Sequence, residues 1–524
     1  MAASVALEKE TPDDCALTFS ERIDTFLRAN REWIVVCCCC YATFRILIFA
    51  AAFPLFNQID EQDHYEMIYR YAQGYAPEAA LPKADPHLAR VIALFGSPEF
   101  YHSKEQLQKF HRDVPIAALP PALKEYHYKK VLAFWENQSD MEAQSPPVYY
   151  AVASVWYRIG AALGTKDWVL AYWTRFLSAI VYGIFVFISF LFVAELYPER
   201  AFLCVAVPMF LAVFPQDVFF GMNRDVLSPM LVALAMLVLF RAAREQSGGY
   251  GNLIGGGVLV GLSFLTEVSN VLFFGLLAVV LYSRYRSARM QSDSKAELKA
   301  VAASGAVAML FPILWLAHNV MVTGDMTAAW AKTGYLGWTL KPWREMWHHP
   351  IFSASGLQYF FNVLTEAFWR GEIWWRGDAM RWSVADGWYR ISSILFVAVF
   401  AAKLFRTGRS EGRLQRINGY LSLHLILGAY LFMAAISLPY DFHNCVNPSR
   451  AHPFFVSGRI IIGILLPFAI VYLSGFEALL KPVRRYVHPL IPFTILAVFM
   501  TVTEVVVRRD IFPSAFNFFS LLRM

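Results

Sequence analysis

Charge is scarce in this sequence. Acidic and basic residues together make up 16% of its 524 positions, against 57% apolar ones, too few to cover the surface of a soluble protein of that length. It contains no glycine-rich phosphate loop and no GxGxxG after a strand, so nucleotide-driven transport by the chain alone is not expected. Repeats of fixed period and low-complexity tracts are also missing. The net charge of +6 is too modest for a nucleic-acid surface and reads as arginines in cytoplasmic loops. Cysteine offers no disulfide framework. Four of the 7 stand in a row, Cys37 to Cys40, inside an apolar segment. Neighbouring side chains on a helix point in different directions, so they form no ligand set. Cys15, Cys204 and Cys445 are isolated. The opening "MAASVALEKETPDD" is acidic and polar, unlike a signal peptide, so the first apolar segment is expected to stay as a spanning helix.

What is abundant is apolar length. Stretches at 33–53, 168–194, 201–220, 225–241, 300–321, 391–405, 417–437, 459–480 and 488–507 are each a candidate span. A longer one, 252–283, is flanked by basic loops on both sides. One helix there would put one of those loops outside, whereas a hairpin turning near Glu267 to Asn270 keeps both inside. The basic segments are Arg22, Arg28 and Arg31 before the first span, then 241–246, 283–299, 403–416 and 481–488. Together these predict an all-α, polytopic membrane protein of about 11 transmembrane helices with a cytoplasmic N-terminus. The chain divides into a cytoplasmic segment 1–32 and a transmembrane domain 33–524. "VVVRRDIF" near 505–512 breaks the charge rule for this topology.

The outer face then receives two long segments, 54–167 and 322–390, and a shorter one, 438–458. Within the first, 145–163 carries Arg158 and is too short to span, so it reads as an amphipathic helix on the membrane surface. The second is crowded with tryptophans, nine from Trp330 to Trp388, interleaved with Lys332, Lys341, Arg344, Arg370, Arg376 and Arg381. Such a mixture suits an interfacial loop or a sugar-phosphate site equally.

Chemistry concentrates where the first span should leave the bilayer, in "FNQIDEQDHY" (56–65). In a helix, Asp60 and His64 stand at i, i+4 and Glu61 and His64 at i, i+3. One face would then present carboxylates and an imidazole, fit for a base whose pKa is raised by partial burial. The same oxygen and nitrogen donors suit a divalent cation, so Asp60, Glu61 and His64 are the candidate metal ligands. A solvated loop with helix-capping acids is the competing reading.

This stretch resembles the Asp-Glu motif after the first transmembrane helix of the GT-C superfamily of membrane glycosyltransferases, which includes protein O-mannosyltransferases and the lipid A aminoarabinose transferase. It is most similar to a bacterial branch with the pattern P-x-F-x-x-x-D-E-x-x-H-[FY], matched by Pro54, Asp60, Glu61, His64 and Tyr65. "MEAQSPPVYYAV" (141–152) resembles the E-A-x-x-P-P-L-Y-Y of that branch. "GMNRDVL" (221–227) resembles an Asn-Asp turn opening a helix, and "VSGRIIIGILLPF" (456–468) a late G-R-Y-L-x-P motif. Four such motifs in order span most of the chain. It departs from the pattern at Glu267, where many relatives carry Lys in G-L-x-x-L-T-K, and at Ile460, where Tyr would follow the arginine.

The resemblance implies transfer of a sugar from a polyprenyl-phosphate donor to a lipid, glycan or protein acceptor at the outer face of a bacterial inner membrane. A base must take the acceptor proton, and positive charge must meet the leaving phosphate. No general acid is required, because phosphate leaves as a stable anion. Asp60 is the expected base, with Glu61 beside it. Arg459, which opens a membrane helix, is the expected phosphate clamp, with snorkelling to the interface as its alternative. Arg376 and Arg370 are weaker candidates. His64, Asn223, Asp225, Pro146 and Tyr149 complete the expected substrate-binding set, with helix capping the simpler role for Asn223. A transporter or lipid flippase, or an inactive scaffold of the same fold, remain the competing classes.

Overall fold

A computed structural model describes residues 18–75, 81–245, 248–290, 295–407 and 412–524. Most of the expected cytoplasmic segment, Cys15, and parts of three basic loops lie outside the described residues. The chain folds into helices α1 (Phe19–Ala52), α2 (Glu61–Ala72), α3 (Pro86–Phe95), α4 (Lys104–Lys109), α5 (Pro121–Trp135), α6 (Val148–Ala162), α7 (Asp167–Leu196), α8 (Ala201–Ala212), α9 (Ser228–Glu245) and α10 (Tyr250–Phe264). There follow α11 (Phe273–Arg289), α12 (Lys295–Thr323), α13 (Ala329–Tyr335), α14 (Trp343–Met346), α15 (Ala354–Arg370), α16 (Ser383–Thr407), α17 (Arg413–Ser437), α18 (Leu465–Leu480), α19 (Leu490–Arg508) and α20 (Phe518–Leu521). The only sheets among the described residues are two antiparallel ladders of two residues per strand: Thr339–Leu340 with Tyr440–Asp441, and Trp374–Trp375 with Asp378–Ala379. The protein is an all-α polytopic membrane protein. Nine of its described helical segments are long and apolar enough to cross a bilayer, and α8 and α10 are shorter apolar helices.

Burial orders the bundle. Helix α18 and the turn before it are 94% buried along their apolar window, whereas α12 is 22% and α17 28% buried, so α18 is the axis and the other two are rim. Rim helices expose apolar side chains, such as Met309, Leu310, Ile313 and Leu314 on α12, as lipid contact allows. Helix α1 starts at Phe19, well before the apolar run, because Thr18 and Glu21 form a reciprocal capping box. Cys37 and Cys40 are exposed on it, Cys38 and Cys39 half-buried, and all four are free thiols. Helix α6 packs on α2 and α7, locked by Trp156 and Trp173, which stack 4.4 Å apart and each donate an indole N–H to the other's carbonyl. Its other face exposes Val152, Val155, Ile159 and Leu163, the apolar stripe expected of a surface helix.

The stretch 252–283 breaks at 265–272, so it is two helices. Their far ends return to one place. The Arg284 guanidinium donates to Ala242 O at the end of α9 (2.8 Å) and to Gly248 O ahead of α10 (2.6 Å), and it binds Glu297 at the start of α12 (2.5 Å). The described parts of the basic loops 241–246 and 283–299 therefore lie together. On the same principle, Arg484 binds Asp24 and Glu477, and Arg28 donates to Glu199 O. Of the two arginines in 505–512, Arg509 is exposed beside Asp510, but Arg508 is not a loop cation. Arg508 is buried, binds Glu504 (2.9 Å) and donates to Pro215 O and Arg370 O, while Arg45 binds the same Glu504 (2.5 Å).

One expected span fails. Residues 201–220 are not a single helix: α8 stops at Ala212, and 213–227 run as turns before α9 begins. Pro215 forces the residue before it out of the helical region. Non-helical backbone at this depth is tolerated only inside protein, and nearly every residue from 213 to 227 is buried. Gln216 donates its amide to Ala367 O and Phe368 O, and Ser178 donates to Gly221 O.

Because Arg284 ties four helix ends, Arg284→Met should leave the buried Glu297 unpaired and lower stability by about 3–5 kcal/mol, whereas Arg284→Met with Glu297→Leu should recover most of that loss. Thermal unfolding of the purified protein in detergent checks both.

Candidate functional site

The turn 53–60 that leaves α1 is built around one buried arginine. Arg175, in the middle of α7, is fully buried. It donates to Ala50 O (2.9 Å), Phe53 O (2.5 Å) and Pro54 O (2.9 Å), the carbonyls that α1 leaves open, and grips Glu61 through two contacts of 2.8 and 2.5 Å. All five guanidinium N–H donors are thus engaged. Glu61 also accepts from Phe56 N (2.9 Å) and Met222 N (3.0 Å). It joins the end of α1 to the start of α2 and to the turns after α8.

This clamp fixes Asp60, which precedes α2 in the left-handed region at φ 58 and makes no capping bond. Asp tolerates that conformation better than most residues. The carboxylate turns instead to Arg459, 2.7 Å away, and the second arm of Arg459 meets Asp225 at 3.3 Å. Arg459 sits in a tight helical turn, Gly458–Ile464, just ahead of α18. Asn223 caps the turn carrying Asp225 (2.9 Å to Asp225 N). Arg459 and Asn223 line a small pocket, together with Gln58, Ile59, Gln216, Asp217, Val218, Gly221, Glu372 and Ile373. Tyr149 is buried beside Asn223, Glu61 and Asp225.

The expected shared face of Asp60, Glu61 and His64 does not form, because α2 starts at Glu61 and Asp60 lies outside it in the left-handed region. His64 is engaged elsewhere, with Nδ1 2.9 Å from the Tyr150 hydroxyl. Its environment is a second charged group. Glu142 binds Arg224 (2.7 Å) and Lys332 (2.9 Å), and Arg224 also binds Glu267 (2.9 Å). Burial would raise the Glu142 carboxyl, but Arg224 and Lys332 hold it well below the usual range. Asp63 and Asp140 behave oppositely: burial, reinforced by neighbouring carboxylates, pushes both well above it. Burial, with Arg224 and Arg459 nearby, pushes His64 down to about 4, so it is neutral at physiological pH. Among the described residues no group of three or more His, Cys, Asp or Glu side chains is arranged to hold a metal ion. Asp60, Glu61 and His64 are each turned to a different partner, so they do not fit a shared cation.

Of the other expected residues, Arg376 binds Glu99 (2.8 Å) and stacks on Trp375; it fastens the second outer segment to the first and does not line the cavity. Arg370 binds Asp386 (2.9 Å). Pro146 and Pro147 lead into α6, whose first amide donates to Leu265 O. Sequence reasoning missed Arg175, Arg224, Glu142, Lys332 and Glu372 as members of this region. Arg175 carried a signal, an arginine inside an apolar span. Glu372 carried none.

Two expectations separate structure from chemistry. Glu61→Gln should strand the buried Arg175 charge and lower stability by about 3–5 kcal/mol, while Asp60→Asn should cost less, because the Asp60 side chain keeps 26% of its exposure and Asp225 still faces Arg459. Unfolding curves of the two variants in detergent check this. For His64, the folded pKa of about 4 lies below the ordinary 6.5. The unfolded chain therefore binds the extra proton first, and stability falls as pH drops from 6.5 toward 4. His64→Gln should flatten that part of the melting-temperature profile relative to wild type.

Comparison with known proteins gives one match. A family described as predicted membrane proteins, DUF2142, matches residues 43–368. No curated protein and no solved structure matches the chain. The matched residues hold Asp60, Glu61, His64, Tyr149, Asn223 and Asp225 and stop short of Glu372 and Arg459. The match covers more than half of the chain, which therefore belongs to the DUF2142 family of predicted membrane proteins.

Proposed function

We propose that this protein is a GT-C-like membrane glycosyltransferase. It crosses a bacterial inner membrane about 11 times, with its basic loops and N-terminus in the cytoplasm, and takes a sugar from a polyprenyl-phosphate donor at the outer face. The observation that carries the reading is the Asp60–Arg459–Asp225 bridge beside a cavity. It brings a carboxylate and a guanidinium together from parts of the chain 399 residues apart.

The bridge gives the reaction an order. In the bridge the Asp60 carboxylate is occupied by Arg459. A donor phosphate offers Arg459 a competing bidentate partner. Arg459 Nε, buried and without a hydrogen-bond partner, is available to it. When the phosphate takes the guanidinium, the Asp60 carboxylate is released to meet the acceptor. It then accepts the acceptor hydroxyl's proton as the oxygen attacks the anomeric carbon and the carbon–phosphate oxygen bond breaks. Asp225 keeps Arg459 oriented. Glu61 acts through position only, by fixing the turn that presents Asp60. Lys332, brought in on α13 and bound to Glu142, closes the second outer segment over the first, toward the acceptor side. Burial opposes its charge, but Glu142 and Asp60 outweigh that and raise its pKa.

The test is transfer of labelled sugar from polyprenyl-phosphate donors in membranes holding the full chain. Asp60→Asn should cut transfer roughly 10²–10⁴-fold at normal protein level. Arg459→Lys, which keeps charge but loses the bidentate fork, should weaken donor use while leaving the protein folded. Equal transfer by wild type and Asp60→Asn, or none by wild type across donors and acceptors, overturns the reading.

A further inference from the structure

The cavity beside Arg459 holds a second carboxyl whose surroundings differ from those of Asp60. Glu372 belongs to a short strap, 371–373, between α15 and the Trp374–Trp375 strand. The strap is pinned to Asp217, which accepts from Ile373 N (3.1 Å). Gly371 is needed for that approach: its φ is +93, and a Cβ there would overlap the Asp217 carboxylate. So fixed, Glu372 lines the cavity with Arg459, Asn223 and Gln216, and its Oε1 is buried without a hydrogen-bond partner. An ionised carboxylate leaving a buried oxygen unsatisfied is costly, whereas a protonated one is much less so.

The groups facing Glu372 oppose one another. Asp217, on the turn after α8, favours its protonated form, whereas Arg459, Ser457 and the Gly458 amide, ahead of α18, favour the ionised one. Arg459, the single cation among the residues lining the cavity, is already shared by Asp60 and Asp225. It therefore has little charge to spare for a third carboxylate. Burial, opposed by Arg459, pushes the Glu372 carboxyl up to about 7.

We propose that Glu372 is the proton-holding group of this cavity and gives its proton to the departing phosphate oxygen. The inference rests on the transferase reading for the identity of the leaving group. The expectation that phosphate needs no acid holds where cations are in excess. Here Arg459 already faces Asp60 and Asp225, and the nearby cations Arg224 and Lys332 are held by Glu142, so a leaving phosphate that gains a second negative charge would meet repulsion. The step balances. The acceptor oxygen bonds to the anomeric carbon, and the carbon–oxygen bond to phosphate breaks with its electron pair passing to that oxygen. Asp60 takes the acceptor proton and Glu372 supplies one to the leaving oxygen. Proton return from Asp60 to Glu372 through solvent resets the site.

Difference infrared spectroscopy on the purified full chain tests this without turnover. Wild type should show a protonated-carboxyl band that titrates near neutral pH, is absent in Glu372→Gln, and is lost when a short-chain polyprenyl phosphate is added as its dianion. Glu372→Asp should keep a shifted band, which guards against misfolding of the Gln variant. In the transfer assay, wild type should lose rate as pH rises above about 7, and Glu372→Gln should remove that limb and lower the rate about 10²-fold. A band unchanged in Glu372→Gln, or one that persists at saturating polyprenyl phosphate, overturns the proposal. Failure of the transferase reading shows elsewhere, as transfer indifferent to Asp60→Asn, with the infrared result still deciding the protonation of Glu372.

Discussion

The contact on which the rest of this structure depends is the buried pair of Arg175 and Glu61. Each group alone would be prohibitively unfavourable in an apolar bundle. Together they are tolerated because every guanidinium donor has an acceptor, three of them backbone carbonyls at the end of α1. The same pair ends α1, turns the chain through 53–60, starts α2 and receives the Met222 amide from the turns after α8. Asp60 faces Arg459 because Glu61 next to it cannot move. A buried ion pair is weak evidence of stability, but here it determines where Asp60 lies.

A second constraint is that helix interruptions meet at one level. The breaks at 53–60, 213–227 and 265–272 and the tight turn at 458–464 are adjacent. Asn270 donates to Ser228 Oγ and Ser263 O, and Ser269 donates to Ile460 O. At Gly463 a Cβ would overlap Asn270 Oδ1. Backbone freed from helical bonding needs partners inside the protein, and where several breaks share those partners a cavity lined by polar groups results. Unwound segments thus bring Asp60, Asp225, Glu372 and Arg459 together from four distant parts of the chain.

The charged groups divide into two sets by function. Arg45, Arg508 and Glu504, and Arg284 with Glu297, join helices in the core and at one face. Around Asp60 the balance differs, since Asp60 and Asp225 share Arg459 and Glu372 lies beside it. On the proposed reading, such a site binds an anion by exchanging partners or by holding protons. Both devices are proposed here, the first for Asp60 and the second for Glu372.

Composition and charge placement in the sequence determined the membrane class, most of the spans and the hairpin within 252–283, because hydrophobic length and basic loops are local properties that need no knowledge of neighbours. The Asp60 region and Arg459 were also legible, since charge at a membrane boundary stands out against apolar sequence. Tertiary structure decided the rest. It broke 201–220 at Pro215, sent Asp60, Glu61 and His64 to three different partners, tied Arg376 to Glu99 and revealed Glu372 beside Arg459. A carboxyl's role depends on which cation it meets and how much water it keeps, and both are set by residues hundreds of positions away. That pairing is a product of packing and is not written in the spacing of the residues themselves.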